Sequence, residues 1–257
     1  MKRILMCIFC SCLAVLSVHA QNFDIYLLIG QSNMAGRGWM IDGDEQVFDE
    51  NVFLLDDKGE PVPATNPLNR YSTIGKGGSK QQICPGFGFS KKLSKETGRK
   101  ILLVVNARGG TMIRQWMKGA QDGFYEEAVK RTRQAMKYGQ LKAILWHQGC
   151  GDSGGTDYYM DSLSVFVGNL RKDLEADVPF IAGELGRWRA HVADFNDMLH
   201  SISEHIPDSD YITSEGCLPI VTSSSEGQPD MNDAHFDRSS QILLGERYAE
   251  KVLQMCY

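Results

Sequence analysis

The sequence predicts an α/β domain built on a mainly parallel sheet, and three observations carry that prediction. Short continuous apolar runs recur along the chain, amphipathic helical stripes separate them, and polar glycine-bearing turns follow the runs. With 257 residues, 42% apolar and 23% charged, the chain can fill a sizeable core, which excludes disorder, collagen and coiled coil. The formal charge of −5 gives no electrostatic support to a nucleic-acid partner.

Taken in order, Lys2 and Arg3 precede an apolar run over residues 4–18 that ends in Val18-His19-Ala20. This pattern predicts a secretory signal peptide over residues 1–20, with residues 21–257 forming one exported domain in the periplasm or outside the cell. No later segment reaches the ~18 apolar residues of a membrane span. Residues 26–29, 101–105, 143–146 and 179–182 are apolar runs suited to strands buried on both faces. Residues 51–64 read as a hairpin turning at Asp57-Lys58-Gly59. Helical periodicity marks residues 125–136, then Tyr159, Leu163, Phe166, Val167, Leu170 and Leu174, then Val192, Phe195, Leu199 and Ile202, and finally Leu244, Tyr248 and Val252. Residues 66–88 and 222–233 read as surface loops. Outside the leader, Cys84, Cys150, Cys217 and Cys256 are far apart and carry no zinc-ligand spacing, although one or two disulfides are compatible with export.

The first strand runs directly into Gly30-Gln31-Ser32-Asn33-Met34-Ala35-Gly36, so Ser32 lies beyond the carboxyl end of a buried strand, where open α/β sheets place their sites. Ser32 alone reads equally as a helix N-cap or as a nucleophile. Two later strand ends carry Ala107-Arg108-Gly109-Gly110-Thr111 and Trp146-His147-Gln148-Gly149. The Ser32 and Gly110 N–H groups and the Gln148 amide are therefore candidate oxyanion donors, although a glycine pair is also simply a tight turn. Of the histidines beyond the leader, His191, His200 and His205 fit a solvated helix surface. His235 instead lies in Asp230-Met231-Asn232-Asp233-Ala234-His235-Phe236-Asp237, among several groups able to orient a base.

These motifs, with Gly183-Glu184-Leu185-Gly186, resemble the sialate O-acetylesterase and acetylxylan esterase group, carbohydrate esterase family 6, of the SGNH hydrolases. The resemblance runs in order through nearly all of the chain after the leader. It implies a flavodoxin-like three-layer fold and a serine esterase that acts on O-acetylated sugars or glycans without metal or organic cofactor. It also implies Ser32 as nucleophile, His235 as base, and Gly110 and Gln148 completing the oxyanion hole. Two positions depart from the pattern: Cys150 stands where Glu is usual, and Asn232 where an Asp usually precedes the histidine by three. The orienting member is then Asp233, the favoured candidate, or Asp230, Asp237 or a neutral Asn232. A carbohydrate-binding homologue with little or no turnover is the alternative reading. Gly151-Asp152-Ser153-Gly154-Gly155 imitates a protease or elbow motif, but no histidine lies far enough upstream for a protease, and Ser153 stands too far from its strand for an elbow. Trp39, Trp116 and Trp188 are candidate sugar-stacking rings, with core or rim packing the commoner use.

Overall fold

The computed structural model describes residues 22–76 and 81–257; the expected leader lies outside the described residues. β1 (Phe23–Gly30) is flanked in parallel by β4 (Ile101–Ala107) and β5 (Gly139–His147), and β6 (Phe180–Gly183) and β7 (Ser209–Ile212) extend the parallel sheet. On the other side β2 (Val52–Leu55) pairs in parallel with β4 and carries β3 (Pro61–Pro63) as an antiparallel edge. The full order is β3-β2-β4-β1-β5-β6-β7. Without the β2–β3 hairpin the remaining strands fall in the order 2-1-3-4-5, that of flavodoxin-like sheets.

The apolar runs form central strands because each side chain finds an apolar layer on its own face. Along β1, Phe23, Ile25, Leu27 and Ile29 enter the core made with α3 (Phe124–Ala135), α4 (Tyr159–Leu174) and α5 (Ala193–His200). Tyr26 and Leu28 point the other way, into a second core with α2 (Pro85–Thr97) and α7 (Arg238–Cys256). The alternation follows from the two-residue period of a strand. The short helices α1 (Ser32–Ala35) and α6 (Ile202–His205) complete the set.

Three expectations change. The loop expected over residues 66–88 gives way to α2 at Pro85, whose ring suits the first helical position, and Gly98 ends the helix with φ of 64°. The glycines that suggested a loop permit close helix packing: a Cβ on Gly88 would stand 2.2 Å from Ile242 O, and one on Gly245 2.0 Å from Pro85 O. The stripe from Val192 to Ile202 is a 3₁₀ turn followed by α5 and α6, with Ser201 between them. β7 was not foreseen at all. Cys84, Cys150, Cys217 and Cys256 are all free thiols.

Candidate active site

β1 ends at Gly30, where φ is 135° and a Cβ would lie 2.4 Å from His147 O, so only glycine lets the chain leave the sheet here. Gln31 then takes the cap position of α1, and Ser32 is the first helical residue. The N-cap reading of Ser32 therefore does not apply. Position alone leaves its N–H without an acceptor four residues back in the helix. Across 203 residues of chain, His235 Nε2 stands 2.9 Å from Ser32 Oγ. On the far side of the ring, Nδ1 lies 2.7 Å from Asp233 Oδ1.

The loop bends so that Asp233 can face the ring. Asp233 N donates to Asp230 O at 2.9 Å, and the same Asp233 Oδ1 that meets the imidazole accepts from His235 N at 2.8 Å. Trp188 Nε1 donates to Asp233 O at 2.8 Å, and its ring packs edge-on against Phe236. Asn232 is exposed, and its backbone N–H is held by Asp230 Oδ1. Asp237 caps α7 by accepting from Ser240 N at 2.7 Å, and Asp230 Oδ2 accepts from Thr222. Of the four orienting candidates the structure brings Asp233 to His235, while Asn232, Asp230 and Asp237 are placed elsewhere.

Burial lowers the affinity of His235 for a proton, and the Arg37 and Arg189 guanidinium groups lower it further. Together they outweigh the Asp233 carboxylate and hold the imidazole below its ordinary range. A histidine in that state is neutral at pH 7, as a general base must be.

Asn33 welds the two halves of the site together. It is fully buried, and its Nδ2 donates to Ala234 O at 3.1 Å, while its Oδ1 accepts from Phe236 N at 3.2 Å and from Gln241 Nε2 at 3.1 Å. The residue beside the nucleophile thus grips both neighbours of His235. Its motif position was read, but its role had no signal in a single sequence.

Gly109 and Gly110 follow β4 as expected. A Cβ on Gly109 would lie 3.3 Å from Ser32 Cβ, and Gly110 has φ of 74° with Lys76 Nζ beside it. Gln148 differs from expectation. Its Nε2 donates to Thr111 O at 2.9 Å and to Asp152 Oδ2 at 2.6 Å, which accounts for both amide hydrogens, while its Oε1 accepts from Tyr159 at 2.8 Å. Asp152 is acceptor-only and also receives Ile113 N and the Tyr158 hydroxyl, so it fixes which way the amide faces. Gln148 therefore anchors the strand-end loop carrying Gly110 rather than offering a free donor. Accordingly, Gln148→Ala is expected to lower unfolding free energy by about 2–4 kcal/mol, because it strands buried groups on Asp152 and Tyr159. Urea denaturation measures this. A loss of kcat by 10²-fold or more with unchanged stability would restore Gln148 as an oxyanion donor.

The remaining residues fall outside the constellation. Ser153 Oγ donates to Cys150 O in a turn. His147 is fully buried, its Nδ1 faces Tyr248, and burial pushes it down to about 4. Burial would raise the Glu184 carboxyl, but hydrogen bonds from Arg187, His200 and Ser214 N bring it down to about 2; it ties the end of β6 to the following loops. Cys150 lies near Gln31 and Arg189, and burial pushes its thiol up to about 11. Trp116 is core, and Trp39 is 54% exposed. Among the described residues no group of three or more His, Cys, Asp or Glu is placed to hold a metal.

A family model described as carbohydrate esterase, sialic acid-specific acetylesterase, matches residues 22–254. A probable carbohydrate esterase of Arabidopsis thaliana is 32% identical over 173 residues, 58% of this chain and 64% of that protein. The matched stretch thus spans under two thirds of the curated relative. Among solved structures, a protein from Arabidopsis thaliana superposes with a TM-score of 0.76 at 23% identity, covering 92% of this chain and 100% of the other. NanS gives 0.66 at 18% identity, covering 91% and 98%. A carbohydrate acetylesterase from Xanthomonas citri gives 0.61 at 17% identity, covering 91% and 57%. At these identities the three structures show a shared fold.

Proposed function

Because the chain belongs to the sialic acid-specific acetylesterase family of carbohydrate esterases, we propose that it is an exported serine esterase removing O-acetyl groups from carbohydrates. One observation carries this reading: Ser32, His235 and Asp233 stand in hydrogen-bonded series with the imidazole held neutral. Ser32 Oγ attacks the acetyl carbonyl as His235 Nε2 takes its proton, and Asp233 stabilises the imidazolium that results. The Ser32 and Gly110 N–H groups receive the developing oxyanion. The imidazolium protonates the departing sugar oxygen, which leaves as a hydroxyl. His235 then draws a proton from the water that attacks the acetyl-enzyme and returns it to Ser32 Oγ as acetate leaves. The assembled series favours turnover over the reading of an inert carbohydrate-binding homologue.

Within acetylated sugars, the charges around the serine favour a substrate bearing a carboxylate over neutral xylan. Arg37 Nη2 would lie 3.0 Å from a Cβ on Gly109 and Lys76 Nζ 3.3 Å from one on Gly110, and Arg189 is near enough to His235 to lower its proton affinity. In a chain of net charge −5 this local positive cluster stands against the overall sign. The purified protein, with Ser32→Ala as control, is assayed on O-acetyl sialic acids and on acetylated xylan. Preference for the sialic acids that weakens with added salt supports the reading, and higher kcat/KM on xylan overturns the choice of class. Absence of Ser32-dependent acetate release from either overturns the esterase.

Two further outcomes are expected. The acid limb of the pH profile of kcat/KM on p-nitrophenyl acetate falls below pH ~6.5, the ordinary histidine value. Arg189→Gln removes a positive charge, raises the His235 pKa and moves that limb to higher pH; a limb that stays in place removes Arg189 from the electrostatics of the base. Export rests on the sequence pattern alone: protein secreted by a Gram-negative host is expected to begin near Gln21 by N-terminal sequencing, and retention of Met1 in a membrane fraction overturns it.

A further inference from the structure

Trp39 stands out among the exposed residues. The residue is 54% exposed, with Val221 39%, Met231 53% and Leu218 51% exposed on the loop that leads to His235. Trp39 leaves a large apolar face in water, and exposed Val221 lies beside it; contiguous apolar patches, unlike scattered single residues, mark binding surfaces. The segment beneath it is fastened on both sides: Gly38 exchanges backbone hydrogen bonds with Ile83 at 3.1 and 2.9 Å, and Met40 N donates to Gln82 Oε1 at 3.0 Å. Trp39 Nε1 donates to Val221 O at 3.2 Å, so the polar end of the ring is engaged with the protein and its face remains open.

This surface is linked to the triad through the backbone. Trp39 lies on the segment that leaves α1 after Ser32. Val221 follows Ile220, whose N–H donates to His235 O at 2.9 Å. A cross-strand step of roughly 5 Å and one residue step of ~3.8 Å bring Val221 within about 9 Å of His235 between Cα atoms. The loop that carries Val221 also exposes Ser223, Ser224 and Gln228. An apolar face beside a loop rich in exposed hydroxyl and amide groups suits a pyranose, which presents C–H groups on its faces and hydroxyls around its edge.

We propose that the face of Trp39, with Val221 beside it, is the platform for the sugar residue adjoining the acetylated one, so that the protein selects acetyl groups carried on oligosaccharides over those on free monosaccharides. The proposal rests on the esterase reading for its orientation and goes beyond it by adding a second sugar position outside the triad.

The test compares wild type and Trp39→Ala on three probes: O-acetylated sialic acid, the same sugar joined to lactose, and p-nitrophenyl acetate. Acetylated xylose and acetylated xylotetraose serve as a neutral pair. Wild type is expected to show the lower KM on the longer member of a pair. Trp39→Ala should raise KM for that member by about 3- to 10-fold more than for p-nitrophenyl acetate, in the range of an aromatic stacking contact, with Trp39→Phe intermediate. Equal changes on all probes, or no preference for the longer member in wild type, overturn the proposal. Binding of deacetylated sialyllactose and xylotetraose, read by calorimetry, separates the two claims. Absence of p-nitrophenyl acetate turnover counts against the esterase, whereas affinity for both glycans that is the same in wild type and Trp39→Ala counts against the platform. A dimer in wild type that is lost in Trp39→Ala would assign the surface to self-association and overturn the sugar platform.

Discussion

Asp233→Asn is expected to lower kcat by about 10⁴-fold, while Asn232→Asp leaves it within about threefold. The first figure is the loss recorded when the orienting carboxylate of a serine-protease triad becomes an amide, because the amide neither fixes the productive tautomer nor stabilises the imidazolium. The assignment follows from the loop. Asp233 Oδ1 meets both the ring Nδ1 and the backbone N–H of His235, whereas Asn232 is exposed. Steady-state rates on p-nitrophenyl acetate decide it. Wild-type-like activity in Asp233→Asn together with a gain of tenfold or more in Asn232→Asp would move the role to position 232.

The next largest effect is expected at Asn33. Asn33→Leu keeps much of the volume and removes the three hydrogen bonds by which the residue beside Ser32 holds Ala234, Phe236 and Gln241. Displacement of a catalytic pair by about 1 Å costs on the order of 10²-fold in rate, so kcat should fall by that factor. Loss of buried partners also lowers stability by about 2–4 kcal/mol. The two effects separate when kcat is normalised to the folded fraction at low temperature. If the normalised value stays within threefold of wild type, Asn33 supports the fold and does not set the distance between serine and histidine.

What was legible in the sequence, and what was not, has physical causes. The central strands were readable because both of their faces are apolar. β7 was missed because Ser209-Asp210-Tyr211-Ile212 is a short edge strand with two half-buried residues, which carries neither a continuous apolar run nor a strong alternation. α2 was missed because Gly86 and Gly88 looked like loop residues and the residues after them were assigned to no element. Their smallness serves contact: Gly86 accommodates Leu28 and Leu68, and Gly88 accommodates the backbone of α7. Ser32 and His235 were readable from their motifs. Asp233 stood among four candidates, and the contacts that single it out come from Trp188, 45 residues away, and from the turn at Asp230. The direction of the Gln148 amide is set by Asp152, whose own motif drew attention to the neighbouring serine instead.

The clamp at Asn33 also orders events in time. The nucleophile follows the first strand and the base lies 203 residues later, and the bonds of Ser32 and Asn33 to the His235 segment join these two distant parts of the described chain. Contacts so distant along the chain close late, after the loop-closure entropy of the intervening sheet has been met. A growing polypeptide that ends at α6 therefore carries the serine without the base that activates it. Hydrolysis begins only when the last segment docks, which makes acetyl release a clock for completion of folding: on refolding from urea, activity should return with the slowest phase, behind the far-ultraviolet signal of the sheet and helices.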